Sequence, residues 1–327
     1  MIGSILLRAL NPRALVRHLR AARIRRHDAG IEAELQLYSS MLQSDFLHAG
    51  YFRKIPERPE AISLQDVKEA MQASADLVLE RIAPGQTVLD IGCGLGGLLY
   101  QMRDAGLHPT GVTPSPAHAE YIRRHNSDIP VILSAFEQLD LTPYRQAFDL
   151  VVSTESFHNV PLDSGLRNIR EVLKPRGKWI VVDYYRVREH AYNRSGHLLT
   201  AFHQALERNG FRVVEEVDIS ANTLPTLAFA YCVATRVGLP LLEFGMARFF
   251  RRHPVIEYLL DDVIARARDR LRLDALDPAV AARDKRYLLQ QITLEQAPCP
   301  ERQRSSPCER TGESPVRIQD LQISAYH

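Results

Sequence analysis

The chain has 327 residues, of which 45% are hydrophobic and 24% are charged, and its formal net charge is +2. These proportions are typical of a globular protein with a sizeable core, and the near-balanced charge argues against a nucleic-acid partner for the chain as a whole. The four cysteines form neither C-x-x-C pairs nor a dense disulfide framework, which predicts a reducing, cytoplasmic setting. Arginines interrupt the apolar start of the chain, and we expect no membrane-spanning helix.

Residues 1–27 contain seven arginines and no acid, and apolar residues recur there at roughly helical spacing. This basic amphipathic segment suits a packed helix with a solvated basic face, a helix in peripheral contact with an anionic membrane, or a cleavable targeting peptide. Pro12 and the scarcity of serine disfavour the targeting peptide. Residues 297–327 are rich in Pro, Ser, Arg and Gln, which predicts a disordered tail.

Between these ends, strand and helix patterns alternate as a doubly wound α/β sheet requires. The alternation predicts a seven-stranded, Rossmann-like sheet with N-terminal helices and a helical cap inserted before the last strand. The predicted parts are 1–63 (basic segment and lid helices), 64–223 (cofactor-binding α/β domain), 224–283 (cap), 284–296 (last strand) and 297–327 (tail). The predicted strands are 87–91, 110–113, 131–133, 148–153, 179–184, 211–217 and 287–293. We expect the apolar cap to cover a pocket, although most of its apolar residues would pack its own helices.

A glycine-rich turn, VLDIGCGLGGLL, follows the first predicted strand. Its glycines fit both the G-x-G-x-x-G turn of nicotinamide-binding proteins and the G-x-G-x-G turn of proteins that bind S-adenosylmethionine. Asp90 lies two residues before the first glycine, and a carboxylate there suits a cationic ligand better than a pyrophosphate. The second strand ends in GVTPS and lacks the acid that would bind the ribose of a nicotinamide cofactor. The turn therefore favours S-adenosylmethionine.

These features resemble those of the class I S-adenosylmethionine-dependent methyltransferases. The resemblance rests on the turn itself, on FDLVVSTESFHNV at the fourth strand, on VLKPRGKWIVVD before and within the fifth, and on NGFRVVEEVDIS at the sixth. GVTPSP and FLHAGYF are similar to segments of the tocopherol, cyclopropane-fatty-acid and related small-molecule C- or O-methyltransferases. In that group the second of these segments closes over the cofactor from the N-terminal side.

The resemblance implies a set of site residues. Asp90, Gly92, Gly94 and Gly96 would hold the methionine end of the cofactor, with Cys93 inside the same turn as a small residue that fits rather than a nucleophile. Thr113 and Ser115 would lie near the ribose and adenine, Ala135 and Phe136 would line the adenine with Glu137 as a further candidate, and Tyr51 would contact cofactor or substrate. Glu155 and His158 fall where the family places residues that face the transferred methyl group.

His158 is the first candidate for a general base, because a neutral imidazole accepts a proton near neutral pH. Glu155 could orient it, act as the base, or stabilise a cation on a carbon acceptor. His158 could instead cap the following turn, and Glu155 could form an ion pair. The apolar cap and the resemblance predict a hydrophobic small-molecule acceptor, such as an isoprenoid, a quinone-like ring or a lipid. No metal is predicted, the oligomeric state is left open, and the alternatives are a nicotinamide-dependent oxidoreductase and a non-catalytic module that keeps the cofactor fold.

Overall fold

The computed structural model describes residues 43–189, 195–256, 258 and 277–295. The basic segment at 1–27 and the tail at 297–327 lie outside these residues. The described residues form one seven-stranded sheet with the order β3-β2-β1-β4-β5-β7-β6. The strands are β1 Thr87–Ile91, β2 His108–Thr113, β3 Val131–Leu133, β4 Phe148–Thr154, β5 Leu173–Arg186, β6 Phe211–Asp218 and β7 Lys285–Leu294. Strand β7 runs antiparallel to both of its neighbours, β5 and β6, and the other pairs are parallel.

All seven predicted strands are present, and β5 differs most from its predicted bounds. The sequence KPRG at 174–177 predicts a turn between helix and strand, whereas β5 already begins at Leu173 because that residue pairs with Phe148. The chain then bulges outward, with Arg176 in the left-handed backbone region, before pairing resumes at Lys178 opposite Leu150. The predicted turn therefore exists as an irregularity within the strand.

Eight helices flank the sheet in the described part of the chain. They are α1 Leu64–Leu79, α2 Gly97–Asp104, α3 Pro116–His125, α4 Leu162–Val172, α5 Leu199–Arg208, α6 Ser220–Val233, α7 Leu239–Arg252 and α8 Pro278–Asp284. Helix α1 begins with a capping box, in which the Ser63 side chain accepts the Asp66 N–H and the Asp66 carboxylate accepts the Ser63 N–H. This start agrees with the sequence, which predicts a helical lead-in from Leu64 before the first strand.

The core lies in two layers, one on each face of the sheet. On one face the Trp179 indole is fully buried and meets the rings of Phe157 and Phe202 at centroid distances of 4.6 and 6.0 Å. On the other face Val78 of α1 and Met102 of α2 pack against the sheet, and both are fully buried. The central parallel strands β1 and β4 are buried on both faces, and each contains a short apolar run, VL at 88–89 and LVV at 150–152.

The segment predicted as a cap behaves differently in its two halves. Helix α6 begins at Ser220, four residues before the predicted start, and packs against the folded domain through Thr223, Pro225 and Ala228. A π-helical turn, Ala234–Gly238, then leads into α7, which has no buried residue. Leu241 and Phe244 of α7 are 64% and 67% exposed, and the role of this segment as the cap of a pocket stays a prediction.

The same segment bears on the expectation that no helix could span a membrane. By length and hydropathy alone, the continuous helix Ser220–Arg252 is long and apolar enough to do so, and it is the one such helix among the residues that the structure describes. Its apolar residues extend from α6 into α7, and Arg236 and Glu243 interrupt them, so the sequence contains no uninterrupted apolar run here.

Candidate active site

The glycine-rich turn joins the carboxyl end of β1 to the first turn of α2. Gly92, Gly94 and Gly96 all have positive φ angles, of 74°, 53° and 89°. Side chains rarely adopt this left-handed conformation, which explains why glycine stands at each position. A Cβ atom on Gly92 would lie 2.3 Å from the Cβ of Ser156, so the turn packs directly against the loop that follows β4. The Ser156 hydroxyl donates to the Ile91 carbonyl and holds this contact in place.

The packing at Gly92 allows a direct test of the turn. We expect Gly92→Ala to destabilise the protein more than Gly85→Ala, measured as the free energy of unfolding in urea. Both glycines have φ near +75°, but a Cβ on Gly85 would meet nothing within 4 Å. Gly85→Ala should cost about 1–2 kcal/mol for the left-handed backbone alone, and the clash with Ser156 should add to this cost in Gly92→Ala. Equal losses in the two variants would contradict the packing described here.

Asp90 lies near the carboxyl end of the interior strand β1, between Gly111 of β2 and Val152 of β4, and is only 3% exposed. Burial raises the pKa of its carboxyl group from 3.8 to about 7, and no hydrogen bond within the described part of the chain offsets this desolvation. A buried carboxylate is normally paired or hydrogen-bonded. The unsatisfied acid beside a glycine turn is therefore suited to a cationic ligand group.

The residues expected around the ribose and adenine lie at the ends of β2 and β3. Thr113 is buried, and its hydroxyl accepts the Ser115 N–H at 3.2 Å. The Ser115 hydroxyl caps α3 by accepting the His118 N–H at 3.3 Å. Ala135 precedes a short 3₁₀ turn, and the ring of Phe136 packs into the core cluster under β4 and β5. The structure thus brings these four residues to one edge of the sheet, while the Phe136 ring is directed into the core.

Cys93 and Glu137 have less to contribute to chemistry. Burial, reinforced by the neighbouring Asp90 charge, holds the pKa of the Cys93 thiol well above its usual range, so the thiol stays neutral. Its sulfur packs where a Cβ on Gly111 would lie, which agrees with the interpretation of Cys93 as a small residue that fits the turn. Glu137 lies within the 3₁₀ turn Phe136–Gln138, and no contact of its side chain points to a ligand.

Residues 45–52, which we call the lid, cross the glycine-rich turn from the N-terminal side. The Asp45 carbonyl accepts the Gly97 N–H, and the Leu47 side chain lies within 3.1 Å of the position that a Cβ on Gly94 would occupy. The Tyr51 N–H donates to the Ala70 carbonyl at 2.7 Å. His48 is buried and its Nε2 atom has no hydrogen-bond partner in the structure, although its Nδ1 lies 3.0 Å from the Ala49 carbonyl. The lid therefore places polar and apolar groups next to the turn, as FLHAGYF predicts.

Glu155 fastens this lid to the sheet. Its carboxylate accepts the backbone N–H of Ala49 and the hydroxyl of Tyr287, and its backbone has a φ of 48° immediately after β4. Burial is the largest influence on the Glu155 carboxyl and raises its pKa. The predicted ion pair with an arginine is absent among the described residues, and the side chain faces the same space as His158. Its contacts make Glu155 a latch for the lid, and a catalytic role for it stays a prediction.

We expect Glu155→Gln to loosen the lid. The Ala49 N–H and the Tyr287 hydroxyl both donate to Oε1 of Glu155, and a neutral amide oxygen accepts hydrogen bonds more weakly than a carboxylate oxygen does. Amide hydrogen exchange at Ala49 and Gly50 should accelerate by about tenfold, the equivalent of about 1.4 kcal/mol. Tyr287→Phe removes only one of the two donors and serves as the control, with a smaller acceleration. Unchanged exchange in Glu155→Gln would mean that the lid is held by its other contacts.

His158 follows Glu155 on a short 3₁₀ turn and is held by an acid from the neighbouring strand. Its Nδ1 lies 2.8 Å from Oδ1 of Asp183, and its backbone N–H donates to Oδ2 of Asp183 at 2.9 Å. Asp183 also accepts the Tyr184 N–H, and its side chain is only 2% exposed. With Nδ1–H donating to this carboxylate, the Nε2 atom carries the lone pair and accepts from the exposed side chain of Asn159 at 2.9 Å. The arrangement prepares Nε2 to accept a proton from a ligand that displaces Asn159.

Two further residues complete this edge of the sheet. The Tyr184 ring lies against the His158 ring at a centroid distance of 4.5 Å. The Lys285 ammonium lies 4.2 Å from the centroid of the same Tyr184 ring. The sequence places Tyr184 and Tyr185 at the carboxyl end of the fifth strand, but only Tyr184 reaches the site, since Tyr185 is buried in the core. Among the described residues, no cluster of three or more His, Cys, Asp or Glu side chains could hold a metal ion.

Sequence reasoning did not single out Asp183, Tyr287 or Lys285. Asp183 is visible as the acid that ends the apolar run WIVVD, and a charge in such a run is a usable signal. Tyr287 and Lys285 carry no such signal, because they reach the site only through the antiparallel pairing of β7 with β5, in which Tyr287 lies opposite Tyr184 and Lys285 opposite Arg186.

Comparison with known proteins agrees with this geometry. A family model described as a methyltransferase domain matches residues 88–177, the part that contains the glycine-rich turn, Asp90, Glu155 and His158. The strand order and the antiparallel β7 are also typical of one methyltransferase class. Residues 88–177 thus match the methyltransferase-domain family, and the fold is that of the class I S-adenosylmethionine-dependent methyltransferases. The cofactor of that class is S-adenosylmethionine.

Proteins similar to this chain are named for different reactions. The sterol 4-C-methyltransferase strm-1 of Caenorhabditis elegans is 30% identical over 168 residues, which is 49% of this chain and 49% of that protein. The O-methyltransferase resE of Aspergillus sclerotiorum is 27% identical over 245 residues, 66% of this chain and 90% of that protein. The crystal structure of the [4+2]-cyclase SpnF superposes with a TM-score of 0.56 at 22% identity, covering 82% of this chain and 96% of that one, a likeness that shows the fold.

The residues of the candidate site fit the cofactor of the family. The Asp90 carboxylate is buried without a hydrogen bond in the described part of the chain, so it can accept a cationic ammonium group. Gly92, Gly94 and Gly96 leave backbone space beside it that a Cβ would fill. The contacts with the cofactor expected of Cys93, Thr113, Ser115, Ala135 and Tyr51 stay predictions.

Proposed function

We propose that this protein transfers the methyl group of S-adenosylmethionine to a hydrophobic small molecule, at a carbon or oxygen atom. The observation that carries the proposal is that two groups lie at the carboxyl ends of neighbouring strands. One is the buried, unpaired Asp90 beside the glycine-rich turn, and the other is His158, which Asp183 holds. The names of the similar sterol and O-methyltransferases support a small-molecule acceptor. The acceptor itself is not identified by these distant relatives.

Methyl transfer asks little covalent chemistry of the protein. The bound cofactor supplies a methyl group on a positively charged sulfur, which leaves as a neutral thioether when the lone pair of the acceptor forms the new bond to the methyl carbon. The lid and Asp90 hold the reactants in line and limit the access of water. Where the acceptor loses a proton, Nε2 of His158 takes it, and Asp183 stabilises the imidazolium that forms.

A hydrophobic acceptor agrees with the surroundings of His158. The Tyr184 ring covers one side of the imidazole, and Phe157 and Trp179 lie beneath the same turn. The Lys285 ammonium nearby could contact an acidic oxygen of an acceptor, because no carboxylate in the described part of the chain lies within ion-pair distance of it. These contacts suit a molecule with an apolar body and one ionisable oxygen or activated carbon.

The decisive experiment is a transfer assay with S-adenosylmethionine labelled on its methyl group. We expect label in a solvent-extractable product when the protein is incubated with a panel of prenylated hydroquinones, sterols and long-chain phenols. With an acceptor that loses a proton, the His158→Asn variant should incorporate at least about a hundredfold less label. Calorimetry should show binding of S-adenosylhomocysteine and none of NADH or NADPH. Binding of NADH or NADPH without S-adenosylhomocysteine would establish the oxidoreductase alternative, and S-adenosylhomocysteine binding without turnover of any acceptor would support the non-catalytic module. The cytoplasmic setting remains a prediction from the cysteine content.

A further inference from the structure

Helix α7 and the end of the π-helical turn before it form an exposed extension that the proposed reaction does not use. We call residues 237–252 the arm. Its apolar side chains face outward along most of its length, with Val237, Leu242 and Phe249 about half exposed. Contiguous exposed apolar surface of this kind normally marks an interaction site, because leaving it in water is unfavourable.

The arm is anchored at its root to the lid. Helix α6 holds the lid through Thr226, whose hydroxyl accepts the Gly50 N–H at 3.0 Å, and through Asn222, whose side chain donates to the Phe52 carbonyl at 2.8 Å. At the following π-helical turn, Arg236 pairs with Glu60 at 2.7 Å. Whatever the arm contacts is therefore brought next to the segment that covers the glycine-rich turn.

Charge and apolar groups are interleaved along the arm. It contains three arginines, Arg248, Arg251 and Arg252, and one acid, Glu243. No carboxylate in the described part of the chain pairs with these arginines. At 100° per residue, Leu242, Met246 and Phe249 share one side of the helix, whereas the exposed Leu241 and Phe244 lie on the same side as the arginines. Apolar side chains therefore surround the arm, and the three arginines lie in its last turns. Unpaired positive charge beside exposed apolar residues complements the surface of an anionic bilayer, where long arginine side chains reach lipid phosphates while apolar residues enter the interface.

Length favours a helix that lies on the bilayer over one that spans it. The whole helix Ser220–Arg252 is long enough to cross a membrane, but its first turns are packed against the protein through Thr223, Pro225 and Ala228 and are hydrogen-bonded to the lid. The free arm measures only about 24 Å at 1.5 Å per residue, which is shorter than the roughly 30 Å hydrocarbon core. Its arginines and Glu243 would also be costly at the centre of a bilayer.

We propose that the arm is a docking surface for an anionic lipid bilayer and that it holds the lid of the protein at the membrane surface. A second copy of the chain is a poorer occupant, because the arginines of two arms would approach one another with only Glu243 in each arm to balance them. The proposal does not depend on methyl transfer, although a hydrophobic acceptor would be at hand in such a membrane.

The test is flotation of the purified protein with vesicles of phosphatidylcholine and phosphatidylglycerol in equal amounts, without cofactor or acceptor. We expect the protein to float with these vesicles, and to float at least about tenfold less with pure phosphatidylcholine or at high salt. Leu242→Glu combined with Phe249→Glu should reduce flotation about tenfold or more, and so should the triple change of Arg248, Arg251 and Arg252 to Gln. Val214→Glu is the matched control, because Val214 is a 46% exposed apolar residue on β6.

Three outcomes would overturn the proposal. If the wild-type protein does not float with the vesicles, it has no surface that binds a bilayer. If the Leu242→Glu, Phe249→Glu variant floats as fully as the wild type, another segment, such as residues 1–27, binds the vesicles. A dimer in solution that this variant converts to a monomer, without vesicle binding, would assign the arm to a second copy. Circular dichroism and S-adenosylhomocysteine binding establish that each variant is folded, so failure of the arm is distinguishable from failure of the proposed function.

Discussion

Replacing His158 by asparagine is expected to lower the rate of methyl transfer by about 10²- to 10⁴-fold for an acceptor that loses a proton. The asparagine amide can take the place of Nδ1 and still donate to Asp183, which lies 2.8 Å from Nδ1 in the wild type, so the buried carboxylate keeps a partner. The variant lacks only the atom equivalent to Nε2. The measurement is kcat with labelled S-adenosylmethionine at saturating acceptor, alongside the affinity for S-adenosylhomocysteine, which should be unchanged.

His203→Asn is the matched control for this prediction. His203 lies on α5 and also interacts with a carboxylate, Glu216, at 3.2 Å, but its partners are on β6 and β7, which β4 and β5 separate from β1 in the sheet. We expect its variant to keep the full rate. A His158→Asn protein that binds cofactor and retains a rate within tenfold of the wild type would show that no base acts at this position.

Replacing Asp90 by asparagine is expected to weaken S-adenosylmethionine binding by at least about tenfold and, in the same protein, to stabilise the cofactor-free fold. Binding weakens because the variant has no negative charge for the cationic end of the cofactor. Calorimetric titration at about pH 8, where the wild-type carboxyl is ionised, measures this loss. In the wild type, affinity should also fall as the pH drops through about 7, because protonation of Asp90 removes the same charge.

The stability effect follows from the pKa of the same group. Burial raises the pKa of Asp90 from 3.8 to about 7, so the folded protein holds this proton more tightly than the unfolded chain. The cost to folding is absent below about pH 4, where both states are protonated, and grows to about 4 kcal/mol above about pH 7. Urea unfolding should therefore show Asp90→Asn more stable than the wild type at about pH 8, with the difference closing towards pH 4.

Asp149 provides a control of opposite sign. Its carboxylate accepts from Thr87 and Lys174, and these partners lower its pKa to about 2. Asp149→Asn should therefore destabilise the protein at neutral pH, the reverse of Asp90→Asn, and leave cofactor affinity unchanged. Equal stability of the wild type and Asp90→Asn at about pH 8 would contradict the assignment of Asp90 as an unpaired acid kept for a ligand.

The sheet was predictable from sequence because its strands are local patterns. Short apolar runs such as LVV in β4 and WIVV in β5 are typical of strands that are buried on both faces. The glycine-rich turn was predictable for a related reason, since three left-handed residues in one turn restrict the sequence to glycine. Asp90 lies next to that turn because it precedes Gly92 by only two residues.

The lid latch and the histidine dyad depend on contacts between distant residues. Glu155 meets Ala49 and Tyr287 across 106 and 132 positions of the chain, and no spacing rule connects them. The outward orientation of α7 also depends on contacts between distant residues. Its apolar residues are equally consistent with a buried and an exposed helix, and only the position of α6 against the lid directs α7 away from the domain.

Sequence alone thus determined the order of strands and helices, the glycine-rich turn and the acid that favours a cationic cofactor, because each depends on backbone conformation or on burial within a few consecutive residues. Tertiary structure decided that Asp183 holds His158, that Glu155 fastens the lid, and that residues 237–252 face outward. These features arise from strand pairing and packing, in particular the antiparallel pairing of β7 with β5. Such long-range contacts produce no periodic pattern in the sequence.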